Sequence, residues 1–497
     1  MAAIGGIEDI GASGVMVNES GLARALQRIA PLAELDGAVL AALGAALREA
    51  PDAELYLINP FRFAQQHGLD PAATLDAFVA AVRGGLLQFA WTMTCPGCGL
   101  FTTLMPRMAA LGPRAYCALC DVTHEALLDR LVEVRFTADP SVRRLPSLEP
   151  VMLPSRGAEA RERLLRYRNN AAADCQAGAR LLGDQLLDAL VLPAGASLDR
   201  EGALTPSQRL VAVSHDVGLR LQPPPGHLGA VVRLEGSDDL GGYTLRLVRY
   251  LAEPLLRIES AVRGEAVLGL FELAPPPGAD AGGGGGYTLA RFSATVTGKV
   301  LLCNQVFRDL FATETLSAGI ALQIEQVTLL FTDLKGSTAL YDAIGDVRAF
   351  SLVSEHFKIL LAAVRGHGGA VVKTIGDAVM GVFSAPLPAL EAALQMAERL
   401  RTFNAQSGLP PLSLKIGLHC GPCIVVSSND RLDYFGQTVN VAARVQGLAD
   451  GEQIVLSDAC FAAPGVAERC SGLPRHSSRA LLKGINEPVA VHTLLTG

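Results

Sequence analysis

The last third of the chain alternates between strand patterns and helix patterns, which limits the folds that it can adopt. Val327–Phe331 is apolar except for Thr328, a run typical of a strand that is buried on both faces. Helix patterns and further short apolar runs follow in turn, and this order predicts an α/β sheet covered by helices. The predicted helices are Val347–Arg365, Pro388–Phe403 and Val439–Leu448, and the predicted strands are Val327–Phe331, Ala370–Thr374, Ala378–Phe383, Leu412–Leu418 and Gln453–Leu456.

Two acidic residues stand at the ends of these predicted strands. Asp333 directly follows an apolar strand, and Asp377 lies in a Gly-Asp turn between two strands of a hairpin. A carboxylate held at the end of a buried strand is rigid, which suits the binding of a hard cation. Two such carboxylates on neighbouring strands could bridge a pair of Mg²⁺ ions. Taken alone, each residue fits the role of a turn or helix-cap residue better.

The surrounding motifs decide between these interpretations. The segments FTDLKGST, VKTIGDAVMGVF, KIGLHCGP and DYFGQTVNVAARV occur in this order between residues 331 and 445. Together they resemble the catalytic domain of class III adenylate and guanylate cyclases, over about residues 325–497. The resemblance implies a ferredoxin-like α/β domain. It also implies that Asp333, Asp377 and the backbone carbonyl of Leu334 bind two Mg²⁺ or Mn²⁺ ions.

The resemblance also implies roles for residues that bind the substrate. Asn440 would position the ribose, and Arg444 would stabilise charge on the α-phosphate. The two residues are four positions apart in a predicted helix and therefore project from one face. Some family members have a phosphate-contacting Arg where this chain has Pro422. The remaining phosphate contacts would come from backbone amides of the loop that contains Gly336, Ser337 and Thr338, and from Lys483.

Lys373 and Asp433 match the pair that selects the base in this family. Adenine offers an acceptor at N1 and a donor amine at N6, which a Lys donor and an Asp acceptor complement. Guanine reverses this pattern and would leave both side chains mispaired, at a cost of several kcal/mol. Guanylate cyclases typically have Glu and Cys instead. The pair therefore predicts an adenylate cyclase that converts ATP to cyclic AMP and pyrophosphate. Guanylate cyclase and a catalytically silent, ligand-binding homologue are the alternatives.

The resemblance has a consequence for assembly. In this family each active site lies between two cyclase domains. One domain contributes the metal-binding aspartates, and the other contributes the base-selecting residues with the Asn–Arg pair. This chain has one such domain that carries both sets, so we expect a homodimer with C2 symmetry and two equivalent sites.

Four cysteines in the amino-terminal half form two CxxC pairs that are separated by 18 residues: Cys95, Cys98, Cys117 and Cys120. This spacing is a strong signal for a zinc ribbon, in which four thiolates close the coordination shell of a structural Zn²⁺. The block 61–120 also resembles an uncharacterised region that precedes cyclase domains in bacterial-type proteins.

A third CxxC, Cys420–Cys423, spells the thioredoxin tetrad. It continues a predicted strand, whereas the thioredoxin motif needs a helix N-terminus, so redox work is disfavoured.

The 497 residues are too many for one hydrophobic core, so the chain is predicted to be multidomain. Residues 1–94 are predicted to be helical, with a winged-helix arrangement as the alternative to a small helical packing module. Residues 95–125 form the zinc ribbon, and 126–305 combine a helical stretch over 156–192 with a β-rich stretch from 208. Residues 306–324 form a linker with a helix over Phe307–Leu322. The cyclase domain occupies 325–497.

Charge and hydropathy limit which partners and which cellular location we expect. The net charge of −7 disfavours nucleic acid and anionic membranes as partners. It therefore also disfavours the alternative that the chain is a regulator that binds nucleic acid. No uninterrupted apolar stretch reaches the length of roughly 18 residues that a membrane span needs. The amino terminus has no signal-peptide pattern. We therefore expect a cytoplasmic protein whose ten cysteines are reduced, metal-bound or inert.

Overall fold

The computed structural model describes residues 17–32, 34–96, 98–145, 153–165, 185–215, 217–236, 243–272, 294–337, 340 and 345–496. No helix within these ranges is both long enough and apolar enough to cross a membrane.

The amino-terminal region packs helices against a small sheet. The helices are α1 (Glu19–Ile29), α2 (Gly37–Glu49), α3 (Pro60–His67) and α4 (Pro71–Gly84). The sheet is antiparallel, in the order β2 (Phe101–Met105), β1 (Leu87–Thr94) and β5 (Val132–Ala138). Asn59 and Asp70 accept hydrogen bonds from the first turns of α3 and α4, each of which has Pro at its first position. Trp91, Phe78 and Phe136 are fully buried where the helices meet the sheet.

The second region is a pair of β-sheets. Its five-stranded sheet has the order β10-β9-β14-β7-β6, and its four-stranded sheet has the order β12-β11-β13-β8. The strands are β6 (Ser155–Arg156), β7 (Leu186–Leu192), β8 (Ser197–Glu201), β9 (Gln208–Ala212), β10 (Val217–Arg220), β11 (Gly229–Gly236), β12 (Tyr243–Leu251), β13 (Leu255–Ser260) and β14 (Ala266–Glu272). The β-rich prediction is confirmed over 208–272. A two-stranded hairpin, β3 (Arg114–Cys117) and β4 (Val122–Glu125), lies between β2 and β5 in the chain.

Two predicted helices are wrong in part. Among the described residues of the predicted helical stretch 156–192, Ala158–Leu165, here α5, is helical, whereas Leu186–Leu192 is strand β7. A short Leu-rich run fits a buried helix or a buried strand equally, and pairing with the distant β14 makes it a strand. Part of that stretch, residues 166–184, lies outside the described residues. The predicted linker helix Phe307–Leu322 ends at Leu310, and Leu322 already belongs to a strand.

The carboxyl-terminal region contains the predicted sheet. The strand order is β16-β17-β15-β18-β20-β22-β21, with β19 paired to β18. The first four strands and two helices run β15, α8, β16, β17, α9, β18, which is a ferredoxin-like βαββαβ order. The elements are β15 (Leu322–Leu334), α8 (Asp346–Gly366), β16 (Ala370–Ile375), β17 (Ala378–Phe383), α9 (Pro386–Ser407), β18 (Leu414–Ser428), β19 (Arg431–Phe435), α10 (Gln437–Gln446), β20 (Gln453–Ser457), α11 (Asp458–Phe461), α12 (Val466–Arg469), β21 (Arg475–Ala480) and β22 (Val489–Leu495).

The two faces of this sheet contact different parts of the chain. Residues such as Leu330 and Val379 point to one face and share a core with α8 and α9. Their neighbours Leu329 and Met380 point to the other face and belong to the core that also contains Trp91 of the amino-terminal region. Two short helices, α6 (Gly298–Leu302) and α7 (Gln305–Leu310), lie in this shared core. The amino-terminal half therefore packs directly on the sheet.

A polar contact also joins the two halves. Strand β15 has an irregular register between Ile324 and Val327, which leaves two backbone N–H groups outside the ladder. The carboxylate of Asp129 accepts both of them, from Glu325 and Gln326, at 3.2 Å each. The turn that follows the cysteine-containing hairpin is thus bonded to β15, a central strand of the carboxyl-terminal sheet.

Candidate active site

Asp333 and Asp377 lie at neighbouring strand ends, as predicted. Asp333 is the penultimate residue of β15, and Asp377 directly precedes β17, which pairs with β15. The hydroxyl of Thr332 accepts the backbone N–H of Val379 at 3.0 Å and fixes the two strand ends together. Gly376 precedes Asp377 with a φ of +63°, a conformation that favours glycine and that permits the tight turn.

The two carboxylates have different surroundings. Nζ of Lys415 lies 2.5 Å from Oδ2 of Asp333, because the two residues are directly opposite in the antiparallel β15–β18 pair. Oδ2 of Asp377 is buried without a hydrogen-bond partner. An unpaired buried carboxylate oxygen is costly, and a cation would remove the cost. The donor set therefore fits a divalent cation.

A buried histidine supports the loop that carries Asp377. His356 of α8 is fully buried, and its Nε2 lies 3.3 Å from the backbone carbonyl oxygen of Asp377. Burial lowers the pKa of His356, so its ring is neutral and can donate one hydrogen bond from Nε2. Leu334, the third predicted ligand, is buried at the end of β15 opposite Leu414. Its carbonyl role stays a prediction.

The loop after β15 is the predicted phosphate-binding segment. Gly336 has a φ of +71°, and a Cβ atom at this position would meet no atom of the described residues within 4 Å. The backbone there approaches open space, as close contact with a ligand requires. Ser337 is half-buried. Thr338 lies outside the described residues.

Lys373 and Asp433 are brought together, although they are 60 residues apart in sequence. Nζ of Lys373 lies 2.5 Å from Oδ2 of Asp433, and Oδ1 of Asp433 accepts the backbone N–H of Tyr434 at 2.8 Å. Both side chains are partly exposed, at 42% for Lys373 and 23% for Asp433. A donor and an acceptor thus stand side by side where solvent reaches them.

Asn440 and Arg444 lie on α10, one turn apart. Asn440 is exposed and Arg444 is half-buried. A Cβ atom placed on Gly484 would lie 3.4 Å from Nη1 of Arg444, so the guanidinium rests against the backbone of the loop that follows Lys483. Lys483 itself is exposed. The helix and this loop therefore bring the guanidinium of Arg444 next to the backbone that follows Lys483.

The contacts gather the predicted residues into three groups: the two aspartates, the Lys373–Asp433 pair, and the Asn440–Arg444–Lys483 group. Among the residues that the structure describes, no ion pair or hydrogen bond joins one group to another. Sequence reasoning missed Lys415 and His356, which contact the two aspartates. Lys415 lies in a quoted motif, but only the strand register shows that it faces Asp333.

The four predicted cysteines converge in one cluster. Their Sγ atoms all lie within 4.8 Å of one another, and all four residues are buried or half-buried. Two of the Sγ–Sγ distances are 3.5 and 3.8 Å, close to the edge of about 3.8 Å expected for a tetrahedron with Zn–S bonds of about 2.3 Å. Nε2 of His124 lies 3.4 Å from Sγ of Cys95 and approaches the same cluster. The donor set fits a soft divalent metal; a ribbon as such is not confirmed.

The other sequence features near the catalytic sheet have structural explanations. Cys420 and Cys423 are buried within strand β18, as predicted. Burial raises the pKa of Cys423 to about 12, which disfavours its reactive thiolate form. Burial lowers the pKa of His419 to about 4, and its Nδ1 lies 2.8 Å from the hydroxyl of Ser457.

Comparisons with known proteins agree with the geometry. Residues 321–469 match the adenylate and guanylate cyclase catalytic domain, and residues 22–198 match a family of unknown function. Adenylate cyclase 1 of Rhizobium meliloti is 33% identical over 144 residues, which cover 26% of this chain and 22% of that protein. An adenylate cyclase of Anabaena cylindrica is 32% identical over 148 residues, which cover 27% of this chain and 29% of that protein. The chain thus spans less than a third of the length of either relative.

Solved structures are similar to about a third of the chain. Adenylate cyclases from Trypanosoma brucei in their monomeric state are 25% identical, with coverage of 34% of this chain and 89% of theirs and a TM-score of 0.30. A guanylate cyclase domain from Catenaria anguillulae in complex with GTP is 23% identical, with coverage of 35% and 97% and a TM-score of 0.31.

Proposed function

We propose that this chain, whose residues 321–469 form an adenylate and guanylate cyclase catalytic domain, is an adenylate cyclase. In the proposed reaction the 3′-hydroxyl oxygen of ATP forms a bond to the α-phosphorus. The bond from the α-phosphorus to the bridging oxygen breaks, and pyrophosphate leaves with that electron pair. The hydroxyl proton passes to solvent, and the other product is 3′,5′-cyclic AMP.

The observation that carries the choice of ATP is the ion pair between Lys373 and Asp433. Nζ of Lys373 has further protons to donate, here to N1 of adenine, and Asp433 has lone pairs to accept the N6 amine. Guanine presents a donor at N1 and an acceptor at O6. It would therefore face Lys373 and Asp433 with the wrong groups, which is a strong discriminator in a desolvated site. The similarity to adenylate cyclases of more than 30% identity supports this choice.

The triphosphate would be held by groups of two kinds. Arg444 offers a fixed, always charged guanidinium to the α-phosphate, where negative charge develops, and Asn440 orients the ribose. Lys483 and the backbone of Gly336, Ser337 and Thr338 would neutralise the outgoing pyrophosphate. Because position 422 is Pro and not Arg, fewer groups remain to neutralise the pyrophosphate.

Asp333, Asp377 and the carbonyl of Leu334 would hold two divalent cations, Mg²⁺ or Mn²⁺. When bound, these ions supply positive charge that stabilises the transition state. The unpaired Oδ2 of Asp377 supports this assignment.

We further propose that two copies of the chain share each site. Among the described residues of one chain, no ion pair or hydrogen bond joins one of the three groups to another. In a C2 dimer, the aspartates of one protomer would face the Lys373–Asp433 pair and the Asn440–Arg444–Lys483 group of its partner. The symmetry would produce two such sites.

The cysteine cluster is proposed to hold one structural Zn²⁺. Four thiolates leave no open coordination position, which suits a structural site. Its thiolates require a reducing compartment, which supports a cytoplasmic location.

The test is to incubate the purified full-length chain with Mn²⁺ and either ATP or GTP, and to identify the products by mass spectrometry. The proposal predicts cyclic AMP and pyrophosphate from ATP. Asp377→Ala should form neither product, because metal charge needed in the transition state is lost. Cyclic GMP as the main product would indicate a guanylate cyclase. Nucleotide binding without any cyclic product would indicate a silent homologue.

A further inference from the structure

Lys373 and Asp433, the base-selecting pair, belong to strands that do not pair with each other. Lys373 lies in β16, which pairs with β17, and Asp433 lies in β19, which pairs with β18. No direct β-ladder therefore sets the distance between the two side chains. That distance depends on the element that packs between the two strands. The short helix α7 contacts both strands.

Helix α7 makes one hydrogen bond to each strand. Oε1 of Gln305 accepts the backbone N–H of Val371 in β16 at 2.6 Å. Nη1 of Arg308 donates to the backbone carbonyl of Leu432 in β19 at 3.3 Å. Gln305 and Arg308 are three positions apart and so share one face of the helix. The bonded residues are two and one positions before the base-selecting residues.

The side chain of Arg308 is itself held on three sides. Its Nε donates to the carbonyl of Leu302 at 2.9 Å, at the end of α6. Its guanidinium carbon lies 5.3 Å from the ring centroid of Tyr434, a distance typical of a cation–π contact. Tyr434 is buried and directly follows Asp433. Arg308 therefore fixes β19 through both neighbours of Asp433.

Helix α7 is anchored in the amino-terminal half. Asn304 caps the helix by accepting the N–H of Phe307, and its Nδ2 donates to Asp76 of α4 at 2.5 Å. Phe307 is buried in the core shared with Trp91. These residues lie before position 321, where the match to the cyclase catalytic domain begins.

We propose that Gln305 and Arg308 are positioning residues for base recognition, which set the spacing of the base-selecting pair from outside the cyclase domain. The inference rests on the proposed function, because it needs Lys373 and Asp433 to contact the base. With the two hydrogen bonds in place, the pair stays at the spacing that matches N1 and N6 of adenine. Without them, β16 and β19 separate and the site loses affinity and selectivity for adenine, while the metal and phosphate groups are unaffected.

The variants Arg308→Gln and Gln305→Leu test this in the full-length chain. We expect each to raise the KM for ATP and to lower the ATP:GTP ratio of kcat/KM, both by about tenfold, because each variant leaves a backbone group of β16 or β19 without its hydrogen-bond partner. The kcat for ATP should change much less. Arg308→Lys keeps one donor and should recover part of the ratio.

Arg365→Gln is the matched control. Arg365 of α8 contacts the same helix, because its Nη2 donates to Oδ2 of Asp309 at 2.7 Å. Among the described residues, its side chain makes no hydrogen bond to β16 or β19. It should leave both the KM and the ATP:GTP ratio unchanged. A merely structural role of α7 would lower kcat through a smaller folded fraction and leave the ratio constant.

The double variant Lys373→Glu with Asp433→Cys is measured in parallel. If it loses ATP selectivity while both α7 variants keep the parent's KM and ratio, the positioning role is wrong and the proposed function stands. If the double variant itself keeps the parent's ratio, the base-selecting assignment fails, and the positioning role fails with it.

Discussion

The ammonium nitrogen of Lys415 lies 2.5 Å from Oδ2 of Asp333, so a proposed metal ligand is already paired with a cation. The pair follows from the register of β15 with β18, which places the two residues directly opposite each other. Both side chains are mostly buried, with exposed fractions of 22% for Lys415 and 34% for Asp333. A divalent ion bound to Asp333 must therefore tolerate or displace the ammonium group.

Replacing Lys415 should strengthen metal binding. We expect Lys415→Met to lower the half-saturating Mn²⁺ concentration about fivefold, which corresponds to about 1 kcal/mol of relieved repulsion. Mn²⁺ binding to the nucleotide-free protein, followed by electron paramagnetic resonance, measures this directly. Lys335→Met is the control, because Lys335 pairs with the exposed Asp450. Unchanged or weaker Mn²⁺ binding in Lys415→Met, with Lys335→Met unaltered, would contradict the account.

His356 should affect the same site through the backbone. Its Nε2 is bonded to the carbonyl of Asp377, and loss of such an outer contact typically weakens metal affinity 10- to 100-fold. We expect His356→Leu to weaken Mn²⁺ binding about tenfold in the same resonance titration. His356→Gln restores a donor and should recover part of the affinity. A loss of thermal stability in both variants with unchanged Mn²⁺ affinity would show that His356 only fills the core.

The cysteine cluster should contain one metal ion per chain. Elemental analysis of protein purified without chelators should give about one zinc per chain, and Cys98→Ser should abolish it. The thermal stability of the amino-terminal half should fall with it, because Cys98 shares a core with α5 and the β-sheets through Leu164 and Val211. Cys470→Ser alters a buried cysteine of the catalytic region and should keep the zinc. No zinc in the parent protein would remove this assignment.

Local signals explain which parts of the structure could be predicted. The strand before Asp333 and the turn at Asp377 are each encoded within a few residues, by an apolar run and by a Gly-Asp dipeptide. The convergence of the four cysteines follows from their spacing alone. The helix over Asn440 and Arg444 likewise shows its period in the sequence, and α10 confirms it.

What was missed depends on contacts between distant segments. Lys415 faces Asp333 only because of the β15–β18 register, which a one-residue shift would reverse. Leu186–Leu192 becomes a strand through pairing with β14, about 80 residues away. The predicted linker helix fails for a related reason: beyond Leu310 the chain turns so that Glu314 accepts the backbone N–H of Met108. None of these partners can be read from a local pattern.

Two inactive variants should restore each other if two chains share each site. Asp377→Ala and Arg444→Ala should each be nearly inactive as homodimers, and loss of Arg444 should cost on the order of a hundredfold or more. In a mixed dimer one site has lost both groups and the other is intact. In the purified heterodimers about half of the parental activity per dimer should return, because one of the two sites is intact. The measurement is cyclic AMP formation after co-expression with two different affinity tags and sequential purification. Tagged heterodimers without recovered activity would exclude the shared site.

The most direct measurement of the central claim is a competition between ATP and GTP in one reaction. Equimolar nucleotides are supplied with Mn²⁺ to the full-length chain, and both cyclic products are quantified by mass spectrometry. We expect cyclic AMP to exceed cyclic GMP by at least about tenfold, since guanine leaves Lys373 and Asp433 mispaired. The same assay on the double variant Lys373→Glu with Asp433→Cys should give a much lower ratio. Cyclic GMP as the main product of the parent chain, or the parent's ratio retained in the double variant, would contradict the account.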